Sequence, residues 1–304
     1  MKLVSVIIPC YKDSQTLVRA IESVLKQTYQ KIEIIVVNDC SPETELIERC
    51  LSAYPQVRYL CNSVNVGLAA TRNNGLAMAN GEIVAFLDAD DEYHQDKIAK
   101  QVEVLKDNMA VTCAVTNVYP DGRISNKNRK DRLVCNERNL LYRNTLNGAG
   151  LLASKSLLLE HGGYDSDLRS CEDFDLWLRL LSSNVKVKAL GAPLYLYHYN
   201  EAGLSKNIKN ISKWELKVIG KYLSRMKHES TFAITYSSVV LVWLLRHLLR
   251  AELAGDRELR LQTMSQQCFF DGFPLTKMYF HIIAYSRVMI MLGFLLRLWK
   301  NKSS

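Results

Sequence analysis

The sequence is poor in the residues that mark several large classes of protein. It holds 6 Pro and 14 Gly among 304 residues, which excludes a collagen-like or linker-like chain. Its 8 cysteines include no C-x-x-C pair, which argues against a cysteine zinc site and fits a reducing compartment. Hydrophobic residues make up 48% and charged residues 23% of the chain, so the composition indicates a globular protein.

The N-terminus lacks the long apolar segment of a secretory signal peptide. Only the six apolar or small residues 3–8 stand between Lys2 and Pro9, whereas a signal needs roughly 7–15 apolar residues. We therefore expect a cytoplasmic protein, or one held on the cytoplasmic side of a membrane.

The first two thirds of the chain carry no excess of basic over acidic residues. Residues 1–200 hold 23 Lys and Arg against 24 Asp and Glu, whereas residues 201–304 hold 16 against 7. A uniformly basic protein would suggest nucleic acid as a partner, but a neutral body with a basic end suggests an acidic surface met at that end. We expect no nucleic-acid partner.

Strand and helix patterns alternate over the first two hundred residues. The apolar, β-branched runs that predict buried strands cover residues 3–8, 32–37, 57–60, 82–87 and 111–118. Helices are predicted from about residue 13, over 68–79 and from Ile98, and the polar stretch 121–138 is predicted to be a loop. The alternation predicts an α/β fold with a mostly parallel sheet flanked by helices, so ligands should bind at the carboxyl ends of the strands.

An acidic cluster follows the fourth predicted strand. Asp88, Asp90 and Asp91 lie in the run Asp88-Ala-Asp-Asp91, and adjacent carboxylates repel unless a positive charge lies among them. Carboxylate oxygens suit Mg²⁺ or Mn²⁺, which usually also bind substrate phosphates. The alternative is a solvated acidic loop at the start of a helix.

Two further segments carry charged residues at predicted helix starts. Arg72 follows the turn at Gly67 on the first turns of a helix, where an anion could bind; the alternative is an ordinary surface arginine. Glu172 and Asp173 begin an apolar helix that includes Trp177. They are either capping acids, which the helix dipole favours, or a general base beside an acceptor cleft.

Taken in order, these segments resemble family 2 glycosyltransferases of the GT-A fold, a resemblance that runs over about residues 3–205. The segments that carry it are Pro9-x-Tyr11, Val37-Asn-Asp-Cys-Ser41, Asn65-x-Gly67-x-x-x-x-Arg72-Asn-x-Gly75, Asp88-x-Asp90-Asp91, and Glu172-Asp173 ahead of Trp177 and Arg179. No G-x-G-x-x-G follows the first strand, which argues against a dinucleotide-binding protein.

The resemblance implies roles in binding a nucleotide sugar. Pro9, Tyr11 and Asp39 would line the nucleobase pocket, with Asp39 accepting a hydrogen bond from a uracil N–H. Arg72 would contact the base or the diphosphate, and Asp88 would face the ribose.

It also implies a metal and a base. Asp90 would ligate Mg²⁺ or Mn²⁺, and His198, in the run Tyr195-Leu-Tyr-His-Tyr199, matches a late histidine that also touches the metal in some relatives. The alternative for His198 is a structural role on a strand. Asp173 would act as the base, with Glu172 orienting it or the acceptor.

The function implied is inverting, metal-dependent transfer of a sugar from a nucleotide sugar, expected to be a UDP-sugar, to a hydroxyl of a lipid-linked or surface-polysaccharide acceptor. Two alternatives remain: transfer to polyprenyl phosphate, and a non-catalytic nucleotide-sugar-binding scaffold of a membrane assembly. The catalytic domain would span residues 1–206, with a donor half of about 1–92 and an acceptor half of about 93–206.

Residues 207–304 are predicted to form a basic helical extension. The uncharged run Thr231–Leu245 is too short to span a membrane, and Met278–Leu296 is interrupted by charge, since a spanning helix needs about 20 apolar residues. We expect helices lying in the membrane interface, peripheral on the inner face of the cell membrane. The residues that would meet anionic headgroups are Arg246, Arg250, Arg287, Arg297, Lys300 and Lys302. The alternative is a packed helical subdomain.

Overall fold

The computed structural model describes residues 1–126, 129–200, 208–225, 239, 242–251 and 255. The chain divides into two compact units. The first comprises Met1–Leu140 and Asn144–Gly203, and the second comprises Leu141–Arg143 and Leu204–Ser304. The predicted assignment of a catalytic domain to residues 1–206 stays a prediction.

One sheet organises the first unit. Among the described residues its ten strands are β1 (Val4–Cys10), β2 (Ile32–Asn38), β3 (Arg58–Cys61), β4 (Ile83–Phe86), β5 (Glu92–Tyr93), β6 (Met109–Val118), β7 (Ile124–Asn126), β8 (Arg132–Val134), β9 (Leu152–Ser154) and β10 (Lys186–His198). Their order is β3-β2-β1-β4-β9-β6-β10-β5, with β7 paired to β6 and β8 paired to β10.

Helices connect the strands. They are α1 (Leu17–Leu25), α2 (Thr44–Leu51), α3 (Leu68–Met78), α4 (Lys97–Val104), α5 (Arg138–Tyr142), α6 (Lys155–Glu160) and α7 (Glu172–Ser182), followed in the second unit by α8 (Ile208–Arg225). α3 packs on β1 and β2, and α1 packs on β5. Strand and helix therefore alternate along the chain from β1 to β4, as the apolar periodicity predicts.

The core of the sheet lies at β1, which is buried along its whole length. Alternate residues Val4, Val6 and Ile8 join a cluster that includes Leu17 and Ile21 of α1, and all five are fully buried. Burial of such side chains stabilises the fold by roughly 1.5–3 kcal/mol each. β1 is therefore a rigid platform for the residues that follow its carboxyl end.

The predicted α/β class and all five predicted strands are confirmed. Parallel pairing joins β3, β2, β1 and β4, and also joins β6 to β10. The other pairings are antiparallel: the short β9 runs in the reverse direction between β4 and β6, and β5, β7 and β8 pair antiparallel with β10 or β6. The prediction that residues 121–138 are a loop was wrong in part: three-residue strands β7 and β8 lie in this stretch and pair with longer neighbours.

The second unit holds α8 and a helix over residues 242–251. Arg250 lies 2.6 Å from Glu215 of α8, and Arg246 donates to the backbone carbonyl of Tyr142. These two arginines, predicted to meet lipid headgroups, thus hold contacts inside their own unit.

No helix within the described part of the chain is both long enough and apolar enough to cross a membrane. The remaining predicted headgroup contacts, at Arg287, Arg297, Lys300 and Lys302, lie outside the described residues. The apolar segment Met278–Leu296 lies outside them as well.

Candidate active site

The carboxyl ends of β1, β2 and β4 lie at one edge of the sheet because these strands are parallel neighbours. Tyr11 follows β1, Asp39 follows β2, and Asp88 follows β4 by two residues. The structure therefore brings together the three segments that the sequence placed in the donor site. Pro9 is buried in β1, past Ile7, which is the last residue of β1 that pairs with β4. Proline has no backbone N–H to donate, and at this position no hydrogen bond between β1 and β4 is lost.

Strained backbone marks the same region. Lys12 and Cys40, which follow β1 and β2, have φ angles of 62° and 53°, and Cys171 before α7 has φ 62°. Residues other than glycine rarely adopt this left-handed conformation, and such strain concentrates at functional sites. Each of the three immediately neighbours a candidate site residue: Tyr11, Asp39 or Glu172.

Asp39 organises the loop that leads into α3. Its Oδ1 accepts from the backbone N–H of Val66 and from Asn62 Nδ2, and its Oδ2 accepts from the N–H of Gly67, each at 2.9 Å. Gly67 has φ 89°, which suits glycine, and caps α3. An ionised carboxylate offers about four acceptor sites, and these donors occupy three of them. The predicted uracil contact stays a prediction.

Arg72 of α3 joins two carboxylates from distant parts of the chain. Its Nη2 donates to Asp88 Oδ1 at 2.7 Å and its Nη1 donates to Glu172 Oε1 at 2.5 Å. Burial alone would lower the pKa of Arg72, but the two carboxylates raise it well above its ordinary value. The guanidinium is therefore a fixed positive charge between the predicted donor and acceptor halves. The predicted contact of Arg72 with the base or the diphosphate stays a prediction.

Two more polar contacts dock the segment before α7 onto the start of α3. Asn73 pairs with both backbone groups of Tyr164, donating to its carbonyl at 2.7 Å and accepting from its N–H at 2.8 Å. Arg169 donates to the carbonyl of Val66 at 3.1 Å. The ring of Tyr164 lies 5.3 Å from the Arg72 guanidinium carbon. Glu172 and Asp173, the predicted catalytic residues at the start of α7, are thus held against the predicted donor half.

Asp173 is a carboxylate with strongly altered acidity. Burial, and next the charge of Glu172, raise the pKa of Asp173 to about 7, although Arg72 opposes the shift. Glu172 is buried and Asp173 is half-buried. Gly148 packs on Asp173 so closely that a methyl group built on this glycine would overlap the carboxylate. A carboxylate with a pKa near neutrality is suited to act as a general base.

The acidic segment after β4 is anchored to β10. Asp91 is 1% exposed and accepts from the hydroxyl of Tyr195 and from the backbone N–H of His198, both at 2.8 Å. Burial, with the charges of Asp88 and Asp90, raises the pKa of Asp91 to about 8. Asp91 thus anchors the segment, which leaves Asp88 and Asp90 as the candidates for contact with a ligand.

Sequence reasoning missed a second anchor of this segment, made by Arg19 and Glu92. Arg19 of α1 donates to the backbone carbonyl of Asp90 at 2.5 Å and lies 3.5 Å from the Glu92 carboxylate. Glu92 also lies 2.6 Å from Nε2 of His198. In sequence Arg19 is an ordinary charge on an amphipathic helix, so only the fold reveals its partner. A metal bound by His198 would use Nδ1 or displace Glu92, and its role as a ligand stays a prediction.

The residues around Asp90 fit a divalent cation in charge and chemistry. Burial, with the charges of Asp88 and Asp13, raises the pKa of Asp90 to about 6, so a cation placed there would relieve repulsion. Within the part of the chain that the structure describes, no group of three His, Cys, Asp or Glu side chains could hold a metal alone. Mg²⁺ commonly binds through one or two carboxylates plus substrate phosphates, which is the arrangement that Asp90 can supply.

Relatives of the chain carry glycosyltransferase names. An "uncharacterized glycosyltransferase" of Haemophilus influenzae is 27% identical over 289 residues, covering 90% of this chain and 91% of that protein. The Escherichia coli protein named UDP-Glc:alpha-D-GlcNAc-diphosphoundecaprenol beta-1,3-glucosyltransferase WfgD is 26% identical over 77% of this chain and 92% of its own length. Another, from Rickettsia typhi, is 35% identical, but the alignment covers 59% of this chain and 58% of that protein.

A solved structure has the same fold. The crystal structure of S. aureus TarS 1-349 in complex with UDP-GlcNAc superposes with a TM-score of 0.58 at 16% identity, covering 89% of this chain and 92% of that one. This likeness confirms the predicted GT-A fold. Residues 5–156, half of the chain, match the family described as Glycosyl transferase family 2. The chain therefore belongs to glycosyl transferase family 2.

Proposed function

We propose that the chain is an inverting, metal-dependent glycosyltransferase that moves a sugar from a UDP-sugar to a hydroxyl of a lipid-linked or surface-polysaccharide acceptor. The observation that carries this proposal is the position of Arg72 between Asp88 and Glu172, the residue that precedes Asp173 in the chain. One cation thereby joins the acidic segment predicted to face the donor to the helix that carries the predicted base.

The donor would bind at the carboxyl ends of β1 and β2. Pro9 and Tyr11 would line the nucleobase pocket, and the remaining acceptor site of Asp39 would take a uracil N–H. Tyr11 is 41% exposed, so its ring is accessible to a base. Asp88 would face the ribose, and Asp90, with His198 as a further candidate, would hold a Mg²⁺ or Mn²⁺ ion. When bound, this ion would offset the charge that develops on the leaving diphosphate.

Asp173 would remove the proton from the acceptor hydroxyl. A base with a pKa of about 7 is largely ionised at slightly alkaline pH and still accepts a proton readily. Arg72 and Glu172 would keep the carboxylate in place and set its acidity. Attack from the face opposite the diphosphate, in a single displacement, would invert the anomeric centre.

The acceptor class is supported by relatives and by charge. WfgD is named for a diphosphoundecaprenol-linked acceptor and for UDP-Glc as donor, and TarS has been crystallised in complex with UDP and with UDP-GlcNAc. Residues 201–304 carry 16 basic against 7 acidic residues, which suits a surface of anionic lipid. We place the protein in the cytoplasm, peripheral on the inner face of the membrane.

The proposal is tested first by protection against thermal unfolding. UDP, GDP, CDP and dTDP would be compared with and without Mn²⁺, since a ligand at 100 times its Kd adds about 2.7 kcal/mol of stability. We expect UDP to raise Tm more than GDP or CDP, and Mn²⁺ to enlarge the shift. Equal shifts for all nucleotides, or none that depends on Mn²⁺, would contradict the proposed donor or the metal.

Transfer itself is tested with UDP-glucose and UDP-GlcNAc against a short-chain lipid diphosphate carrying GlcNAc. We expect a product whose anomeric configuration is opposite to that of the donor, read from proton couplings. A retained configuration would refute the single displacement. Binding of UDP with no transfer to any lipid-linked or polysaccharide acceptor would favour the scaffold alternative.

A further inference from the structure

A lysine that the proposed mechanism does not use is completely buried in the first unit. Lys97, at the start of α4, is 0% exposed. Its ammonium donates to Gln101 Oε1 at 2.8 Å and lies 3.9 Å from the ring centre of Tyr93. Burial lowers the pKa of Lys97 to about 8. Burying a charged group costs free energy, so the contact of Lys97 with Gln101 needs a structural or functional explanation.

Gln101 passes the contact on to a glycine-rich loop, Asn147-Gly-Ala-Gly150. Its Nε2 donates to the backbone carbonyl of Gly150 at 2.8 Å, and the side chain is 0% exposed. At the other end of the loop, Thr112 of β6 donates from its hydroxyl to the carbonyl of Asn147 at 2.6 Å. The buried side chains of Gln101 and Thr112 therefore bind the backbone carbonyls at the two ends of the loop.

The same loop presses on the predicted base. Gly148 packs directly against Asp173, where no side chain could be accommodated. The loop closes with a hydrogen bond from the N–H of Leu151 to the carbonyl of Gly148 at 3.1 Å. A displacement of the carbonyls of Asn147 or Gly150 would therefore move the backbone that fixes the Asp173 carboxylate.

Lys97 also fixes which way the amide of Gln101 points. The terminal torsion of glutamine is broad and roughly two-fold, so either end of the amide can face a given neighbour. An ammonium only donates, so it selects Oε1 for itself and leaves Nε2 for Gly150. Replacing the lysine would remove this selection even where the glutamine stays.

We propose that Lys97 and Gln101 form a positioning pair that holds the glycine-rich loop of residues 147–150 against Asp173. The pair acts through Gly150 and Gly148 on the geometry of the base and touches no substrate. This inference rests on the proposed function of Asp173 for its catalytic consequence, but its structural part does not.

The structural part is tested by amide hydrogen exchange in Gln101→Glu, Gln101→Met and Lys97→Met. Gln101→Glu keeps an acceptor for Lys97 but loses the donor to Gly150. The two methionine variants remove the polar contact with little change of side-chain volume, and they provide the test if Gln101→Glu does not fold. We expect exchange at the Leu151 amide to rise at least about tenfold. Ser5→Ala is the control, since Ser5 is 0% exposed and hydrogen-bonded near the amino end of β1, away from the carboxyl ends of the strands. Unchanged exchange at Leu151 in all three variants would overturn the inference.

The catalytic part is tested by separating kcat from donor affinity. We expect the three variants to lose about 10-fold to 100-fold in kcat, with the Kd for UDP and Mn²⁺ unchanged, while Ser5→Ala loses neither. A loosened loop with wild-type kcat would overturn the positioning role. If the wild type transfers no sugar from any UDP-sugar, the proposed function fails, and the exchange comparison still decides whether the pair holds the loop.

Discussion

Arg72 and Glu172 lie 100 positions apart in sequence, yet their side chains form an ion pair of 2.5 Å. Both are buried, with 5% and 9% of their side chains exposed. The pair joins α3, which follows the loop that Asp39 organises, to α7, which carries Asp173. Because Arg72 also holds Asp88, one guanidinium sets the spacing between the predicted donor and acceptor residues.

Removing the charge of Arg72 should damage both stability and activity. In Arg72→Met, Glu172 would be left buried without its partner, and such a loss typically costs about 3–5 kcal/mol in the free energy of unfolding. Arg72→Lys should retain more stability but lose at least about tenfold in kcat, since a lysine does not present a planar fork to two carboxylates. Urea unfolding and steady-state kinetics measure the two effects.

The double variant Arg72→Met with Glu172→Gln is the matched control for this prediction. It removes the unpaired charge and should recover most of the lost stability without restoring kcat. If Arg72→Met alone were as stable as the wild type, the buried ion pair would not be formed in solution.

The pH dependence of the rate should follow Asp173. The base must be ionised, so kcat should rise with pH through about 7, the pKa of this carboxyl. Glu172→Gln removes a charge that raises this pKa and should move the acidic limb of the profile to lower pH. A limb that stays in place or moves upward would assign the titration to another group.

The same shift has a consequence for stability. The pKa of Asp173 in the folded protein lies above its ordinary value of 3.8, so the folded state binds this proton more tightly than the unfolded state does. The free energy of unfolding should therefore fall as pH rises from about 4 to about 7, and Asp173→Asn should weaken this dependence. Urea unfolding across that range measures it, and a slope unchanged in the variant would exclude Asp173 as its source.

Asp90 should lower the stability of the metal-free protein and contribute to binding of a cation. Asp90→Asn removes a carboxylate that Asp88 and Asp13 repel, so the metal-free variant should unfold at an equal or higher temperature, by up to about 2–4 °C. Mn²⁺ with UDP should raise Tm in the wild type and much less in the variant. An equal shift in both proteins would show that the cation binds elsewhere.

The order of elements could be predicted because β1, β2 and β4 are buried on both faces and read as short apolar runs. Residues 3–8 predict a strand that the structure shows as Val4–Cys10. The reversed strand β9 could not be predicted, since its three residues, Leu152–Ser154, are too few to show a period. Its direction depends on pairing with β4 and β6, which are distant in sequence.

The sequence predicted the position of a site residue where that residue comes just after a strand, as for Asp39 and Asp88. Side-chain pairing across the fold could not be predicted: neither the partner of Arg72 nor the anchoring of Asp90 by Arg19 has a local signal. Lys97 and Gln101 are four residues apart, so a helix places them on the same face, but this spacing does not indicate that the face is buried, and only the fold shows it.

The basic extension should bind anionic membranes. Charge reversal at Arg287, Arg297 and Lys300 should weaken binding to vesicles that contain phosphatidylglycerol, since each basic residue near such a surface contributes about 1 kcal/mol. Binding should also fall at high salt, where screening shortens the reach of these charges. Reversal of the exposed Lys31, Lys106 and Lys130 of the first unit gives a control of equal charge. Equal losses in both variants would refute a specific role for the extension.

The role of Asp173 is tested most directly by Asp173→Asn, measured for turnover at saturating UDP-sugar and for UDP affinity by calorimetry in the presence of Mn²⁺. Asparagine keeps the shape of the side chain but cannot take up the acceptor proton, and general-base catalysis typically contributes 10²–10⁴-fold, roughly, to a rate. We predict that kcat falls by about that factor while the Kd for UDP stays within about twofold of the wild type. Wild-type turnover in Asp173→Asn, or a loss of UDP binding as large as the loss of rate, would contradict its assignment as the base.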